Sequence, residues 1–257
     1  PAEEGLGGAK AMIDDGLFDK FPCDRVYAMH NGPGIAVGKF ASVPGIRTAA
    51  GAFFDIKVIG KGGHGAFPQF AIDPITIAAE IIGAIQTIVS RTTSPNDSAV
   101  LSITKVHAGD AYNVIPESAM LSGTVRTFAI DKMQEIERQM VSISEGISRA
   151  HGGTALVEFN TLFLPVLNEE EATDLATDVC RDMVGQDNVI TTGSAGTGSE
   201  DFSFMSNEVP GCYVIIGNGE DSNALHNPNF DFNDKALVYG GSFFARVIEK
   251  ELALDQV

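Results

Sequence analysis

The chain has 257 residues, 44% of them apolar and 8% aromatic, which is enough to bury a sizeable core and excludes a disordered tail or a small stapled module. Seventeen Lys and Arg against 34 Asp and Glu give a net charge of −17. That balance argues against nucleic acid or an anionic membrane as partner and favours a neutral, cationic or metal-assisted ligand. The acidity belongs to the second half: residues 1–128 hold 10 basic and 12 acidic side chains, residues 129–257 hold 7 and 22.

Cys23, Cys180 and Cys212 lie far apart and show no CxxC spacing. They suggest neither a disulfide framework nor a zinc knuckle, so a reducing, cytoplasmic setting is the expectation. No stretch reaches the roughly 18 to 20 unbroken apolar residues of a membrane span. The chain starts at Pro1, without an initiator Met, and reads as a fragment of a longer sequence, so the lack of a signal peptide carries no information.

In chain order, a short helix is expected around Gly5–Asp15, then a strand over Val26–Met29. Ala50 to Gly60 sets Phe54, Ile56 and Val58 on one face of a period-two strand. After the Gly- and Pro-rich stretch ending at Pro74, Ile77, Ile81, Ile85 and Ile88 recur at helical spacing. Residues 99–107 alternate again, and Glu117–Phe128 places Met120, Ser122, Thr124 and Arg126 opposite Leu121, Gly123 and Val125. Asp131 is the expected N-cap of a helix carrying Met133, Ile136, Met140, Ile143 and Ile147, stopped by Gly152–Gly153. Thr154–Leu162 completes β-α-β-β-α-β, the split-βαβ or ferredoxin-like order, over residues 47–163.

This unit is predicted to be inserted in a second, α/β domain made of residues 1–46 and 164–257. The latter contributes amphipathic helices over Glu169–Met183 and Asp234–Glu251 and a buried strand Tyr213–Ile216. Its sheet cannot be completed from these pieces.

Several residues could carry chemistry. Glu3 and Glu4 are adjacent carboxylates before a Gly-rich turn, so one can face a metal and the other a water. His30 follows the strand Val26–Met29 in His-Asn-Gly-Pro-Gly, and His226 lies in a loop after the buried strand. One Glu and two His make a normal set for zinc, manganese or cobalt. Taken alone, the spacing fits a solvated helix start and hydrogen-bonded loop histidines as well.

His64 stands in a Gly-rich run that satisfies the letters of a dinucleotide fingerprint. Pro68 and Pro74, however, block the helix which that motif must open; the glycines more simply bend the chain so that His64 is presented outward. Arg126 on a strand face suits a substrate carboxylate, though a surface ion pair is an equal reading. Asn113 is either a polar contact or a turn residue before Pro116. The small-residue run from Thr191 lacks the Lys of a phosphate loop and ends in Glu200–Asp201, which repels phosphate. No nucleophile elbow is present.

Taken together, Pro-Ala-Glu-Glu-Gly (1–5), His-Asn-Gly-Pro-Gly (30–34), Gly-Gly-His-Gly-Ala-Phe-Pro (62–68), Asn-Val-Ile-Pro (113–116), Gly-Ser-Glu-Asp-Phe (198–202) and Leu-His-Asn-Pro-Asn-Phe (225–230) resemble the aminoacylase, hippurate hydrolase and indole-acetyl-amino-acid hydrolase family. The resemblance implies a catalytic domain that binds two divalent ions (Zn, Mn or Co), interrupted by a lid or dimerisation domain. Glu3 is similar to the family's general base, and Glu4, His30 and His226 to its metal ligands. His64 resembles the insert histidine that holds the substrate carbonyl, in some members across a dimer interface. Asn113 and Arg126 resemble substrate-carboxylate contacts.

The implied reaction is hydrolysis of an N-acyl amino acid or similar small amide by a homodimer. The family takes further ligands from upstream of the Glu-Glu pair, so the chain is expected to be N-terminally truncated, with an incomplete metal site and little activity alone. The competing expectation is a non-catalytic dimerisation or ligand-binding fragment; retention of Glu3, Glu4, His30, His64 and His226 together argues against it.

Overall fold

The computed structural model describes residues 8–252. Glu3 and Glu4 therefore lie outside the described residues. In chain order the elements are α1 (Gly8–Asp14), α2 (Leu17–Lys20), β1 (Val26–Pro33), β2 (Phe40–Ala41), β3 (Gly45–Ile46), β4 (Ala50–Ile59), β5 (Gly63–His64), α3 (Pro74–Thr87), β6 (Ala99–Ala108), β7 (Val114–Ile115), β8 (Ser118–Thr127) and α4 (Ile130–Ala150). They continue with β9 (Thr154–Phe163), β10 (Leu167–Asn168), α5 (Glu170–Val184), β11 (Val189–Ile190), α6 (Phe202–Glu208), β12 (Gly211–Gly219) and α7 (Ala236–Glu251). The chain divides into two compact units: unit 1 is Pro1–Thr48 with Val166–Val257, and unit 2 is Ala49–Pro165.

Unit 2 runs β4-α3-β6-β8-α4-β9, with an antiparallel sheet in the order β6-β8-β4-β9. Alternate residues of the central strands, Phe54, Ile56 and Val58 on β4 and Leu121 and Val125 on β8, face one side. There they meet Ile77, Ile81, Ile85 and Ile88 of α3 and its C-terminal turn, and Met133, Ile136 and Met140 of α4. Asp73 caps α3 by accepting from Ile75 N at 2.9 Å, with Pro74 in the first turn, where its missing N–H costs nothing.

The helical stretch Pro74–Thr92 is long and apolar enough to cross a membrane by length and composition. Glu80, Gln86 and Arg91 interrupt its apolar run, and its isoleucine stripe lies in the core of unit 2, so it serves here as a core helix. The expected cap of α4 is corrected. The helix starts two residues earlier, at Ile130, Ala129 occupies the cap without a side-chain bond, and Asp131 sits in the first turn accepting from Lys132 N. At the other end Gly152 takes a positive φ of 78° and Gly153 N bonds Ser148 O, as a glycine stop requires.

Unit 1 has a sheet in the order β1-β12-β2-β11, with β1 and β12 parallel. β12 is buried on both faces, which explains its unbroken apolar run. Cys212, Val214 and Ile216 face Phe40, α5 and α7 on one side, while Tyr213 meets Phe202 and Val166 on the other. The start of β1 is tied to the end of α7 by Arg25, whose Nη1 lies 3.1 and 3.0 Å from the Glu251 carboxylate oxygens, and by Tyr27, whose hydroxyl donates to Glu251 at 2.6 Å. β1 extends to Pro33, so His30 lies inside the strand and not after it. Helix α6 and the two-residue strands have no counterpart in the sequence reading, because elements that short carry too few turns of a period to register.

Candidate functional site

In unit 1 the parallel pair places His30 opposite Ile215 toward the carboxyl end of β1, the position where open α/β sheets hold functional side chains. Its Nδ1 is 2.8 Å from Asn31 O. A carbonyl only accepts, so Nδ1 carries the proton and Nε2 presents a lone pair, the state a metal ligand needs. The His30 ring lies 6.2 Å from the Tyr213 ring, tilted by 48°.

Tyr213 is held firmly. Its N–H donates to Asn168 Oδ1 at 2.7 Å, and its carbonyl accepts from Asn168 Nδ2 at 3.0 Å. The Tyr213 hydroxyl donates to Glu200 Oε2 at 3.1 Å, and Phe202 N donates to Glu200 Oε1 at 3.4 Å. Burial pushes the Glu200 carboxyl above the usual carboxylate range, against the hydrogen bonds from Phe202 and Tyr213, which pull it down. Next to it, Asp201 Oδ2 accepts from Ala9 N at 2.7 Å and so holds the start of α1.

The small-residue run that leads to Glu200 is pinned as well. Arg47 donates to Ser194 O at 3.2 Å and Gly193 O at 3.4 Å, and its own carbonyl accepts from Gly196 N at 2.9 Å. Burial holds the Arg47 guanidinium below its ordinary range.

His226 adopts φ 63°, the only positive φ of a non-glycine residue among those described. A left-handed backbone costs a non-glycine residue roughly 1 kcal/mol or more, so the surrounding loop must impose it. Asparagines brace that loop: Asn218 Nδ2 donates to Ser222 Oγ and Asp231 O, and Asn223 Nδ2 donates to Asn229 O. Among the described residues no group of three or more His, Cys, Asp or Glu side chains forms a metal site by itself.

In unit 2, β5 pairs with β7 so that His64 faces Val114. Gly65 N donates to Asn113 O at 2.8 Å, a close approach that leaves little room: a Cβ on Gly65 would stand 3.3 Å from that oxygen. Ala66 N donates to His64 Nδ1 at 3.1 Å. Nδ1 is therefore the acceptor, and Nε2 carries the proton on an exposed ring. Asn113 is in the turn Ala111–Val114. Arg126 stands half-buried on β8, across from Gly51 and Val100, where burial lowers its pKa.

The structure thus brings His64 and Asn113 into one pair of turns, places Arg126 on the sheet of the same unit, and groups His30 with Tyr213 and Glu200. Glu200 and Tyr213 have no role in the sequence reading, although Gly-Ser-Glu-Asp-Phe is one of its motifs. A carboxylate followed by an aromatic at the start of a buried helix was the available signal.

The profile of peptidase family M20/M25/M40 matches residues 1–250. A hippurate hydrolase of Campylobacter jejuni is 39% identical over 98% of this chain and 66% of its own length. An IAA-amino acid hydrolase of Arabidopsis thaliana, ILR1-like 4, is 32% identical over 98% of the chain and 58% of its own length. Among solved structures, a Bacillus subtilis protein described as a dinuclear metal binding peptidase of the M20 family superimposes with a TM-score of 0.80 at 28% identity, over 98% of this chain and 63% of that one. The chain spans less than two thirds of the length of these proteins.

Proposed function

The chain belongs to peptidase family M20/M25/M40, and from that premise we propose that the complete protein hydrolyses the amide bond of N-acyl amino acids. In this reading unit 1 is part of the catalytic domain, and unit 2 is a ferredoxin-like insert that acts as lid and joins two copies. Glu4, His30 and His226 would hold divalent ions, with zinc, manganese or cobalt suited to this oxygen and nitrogen set. The donor chemistry of His30 fits: its proton is held on Nδ1 by Asn31 O, leaving Nε2 to ligate. Once bound, such ions polarise the amide carbonyl and lower the pKa of a coordinated water.

The chain's own residues do the rest. Glu3 takes a proton from the attacking water and passes it to the leaving nitrogen as the C–N bond breaks, giving a carboxylic acid and an amino acid. His64 donates from Nε2 to the carbonyl oxygen as negative charge grows there. Asn113 and Arg126 hold the carboxylate of the amino acid, the latter through its paired donors.

What supports the reading most directly is the opposite protonation of the two histidines, a ligand-ready His30 and a donor-ready His64. The test is Glu3→Gln in the complete protein. Turnover of N-benzoylglycine should fall by about 100-fold or more, with metal content by mass spectrometry unchanged at two ions. Undiminished turnover would remove Glu3 as the base, and absence of metal from the active wild type would remove the ligand set.

A further inference from the structure

Helix α1 has seven residues, too few to stand as an isolated helix. Its buried side chain is Ala9, and α1 packs on α6. What fastens its start is the 2.7 Å hydrogen bond from Ala9 N to Asp201 Oδ2, across 192 positions of sequence. Asp201 occupies the N-cap of α6 without a side-chain bond to that helix, although an Asp there normally accepts from its own helix. Its carboxylate is turned to α1 instead. The neighbouring Glu200 accepts from Tyr213, whose ring lies 6.2 Å from the His30 ring. Two adjacent carboxylates therefore reach two segments: Glu200 the strand pair that carries His30, and Asp201 the helix that follows Glu3 and Glu4 in sequence.

We propose that Asp201 is a positioning residue: by holding Ala9 N it sets the Glu3–Glu4 pair against His30, so that Glu4 and His30 address the same ions. Ala9 stands five residues after Glu4, and Gly5, Gly7 and Gly8 are three of the four residues between them. Glycine has the widest backbone freedom, so the range open to the Glu pair is set by where the segment is anchored. Five residues reach at most about 18 Å, and the anchor is the Ala9–Asp201 bond. A bond that only stabilised α1 would leave metal retention unchanged in the folded protein. The inference rests on the amide-hydrolysis reading for the roles of Glu3, Glu4 and His30 and adds the residue that brings them together.

The test uses the complete protein with the variants Asp201→Ala and Asp201→Asn, and Glu169→Ala as a stability control on α5. One readout is the EDTA concentration at which half of the metal held as purified is lost, measured by mass spectrometry. The others are kcat and KM for N-benzoylglycine and the melting temperature. Asp201 makes no side-chain bond to α6, so Asp201→Ala is expected to fold. It should release metal at about tenfold lower EDTA and lose kcat by about tenfold or more, with KM within about twofold. Asp201→Asn keeps an oxygen for Ala9 N and should stay within about threefold of wild type in both. Glu169→Ala should lower the melting temperature and leave metal retention and kcat unchanged.

Metal retention and kcat within about twofold of wild type in Asp201→Ala overturn the proposal. So does an Asp201→Asn variant that falls as far as Asp201→Ala, since the hydrogen bond would then not be what acts, and so does an equal fall in Glu169→Ala, which would mark a general loss of folding. If Asp201→Ala does not fold, Asp201→Ser, whose side chain stops one bond short of Ala9 N, takes its place with the same expected result. If the wild type holds metal but does not hydrolyse N-benzoylglycine, the reaction reading fails, and metal retention alone decides for or against Asp201. If the wild type holds no metal, the positioning role is overturned too.

Discussion

The Tyr213 hydroxyl donates to Glu200 Oε2 at 3.1 Å, its ring lies 6.2 Å from the His30 ring, and Asn168 fixes both backbone groups of Tyr213. Removing the hydroxyl leaves a half-buried carboxyl oxygen without that donor. Tyr213→Phe is expected to cost about 1–3 kcal/mol of stability, measured by urea unfolding with a probe in unit 1. A cost under about 0.5 kcal/mol would mean that water replaces the hydroxyl.

Two glycines of unit 2 should respond in opposite directions. A Cβ on Gly123 would stand 2.1 Å from Ser102 O and 2.5 Å from the Phe54 ring, neither of which can move without disturbing the sheet or the core. Gly83, exposed in the interior of α3, has nothing within 4 Å of its Cβ position. Gly83→Ala should stabilise by about 0.5–1 kcal/mol, while Gly123→Ala should destabilise by about 1–3 kcal/mol or more. Thermal melts of the two variants decide it; a neutral Gly123→Ala would show that β6 can shift.

What the sequence discloses of this fold depends on how each element is buried. β4 and β8 bury one face and leave the other open, so their period-two pattern points directly at the core. β12 is covered on both faces, and its apolar run cannot say that Tyr213 faces Glu200 and not Cys212. Tyr213 and Glu200 come together only because α6 folds back onto β12, and the residues before α6 are small and show no periodicity. Read without that geometry, Glu200–Asp201 is merely an acidic run. The protonation of His30 and His64 lies further from view, because a backbone carbonyl sets one and a backbone N–H the other.

Glu169 ties the stability of unit 1 to pH. Its side chain caps α5, accepting from Ala172 N at 2.8 Å and Glu171 N at 3.1 Å, and these bonds hold its carboxyl below the usual range. The folded state therefore binds the proton less readily than the unfolded state. The stabilisation is complete above the unfolded carboxylate pKa and is lost as pH falls through the folded one. Glu169→Gln should cost up to about 1 kcal/mol at pH 7, and the gap to wild type should close on acidification. A gap of constant size from pH 7 to pH 3, followed by denaturant unfolding, would show that the charge is irrelevant to the cap.

The three cysteines should separate cleanly by reactivity. Cys23 is exposed, whereas Cys180 and Cys212 are buried in the core formed by α5, α7 and β12. The thiolate is the reactive species. Burial pushes the Cys180 thiol up to about 12 and Cys212 to about 11, the latter despite the hydroxyl of Ser42 at 3.7 Å. At pH 8 that leaves the two buried thiols ionised at about one part in a thousand or less, behind a packed helix layer. Brief alkylation of the native protein, read by peptide mapping, should label Cys23 and spare Cys180 and Cys212 until denaturant is added, and Cys23→Ser should remove the native label. Equal labelling of Cys180 in the native state would mean that α5 opens from the sheet on the timescale of the reaction, and the packing described for unit 1 would have to be revised.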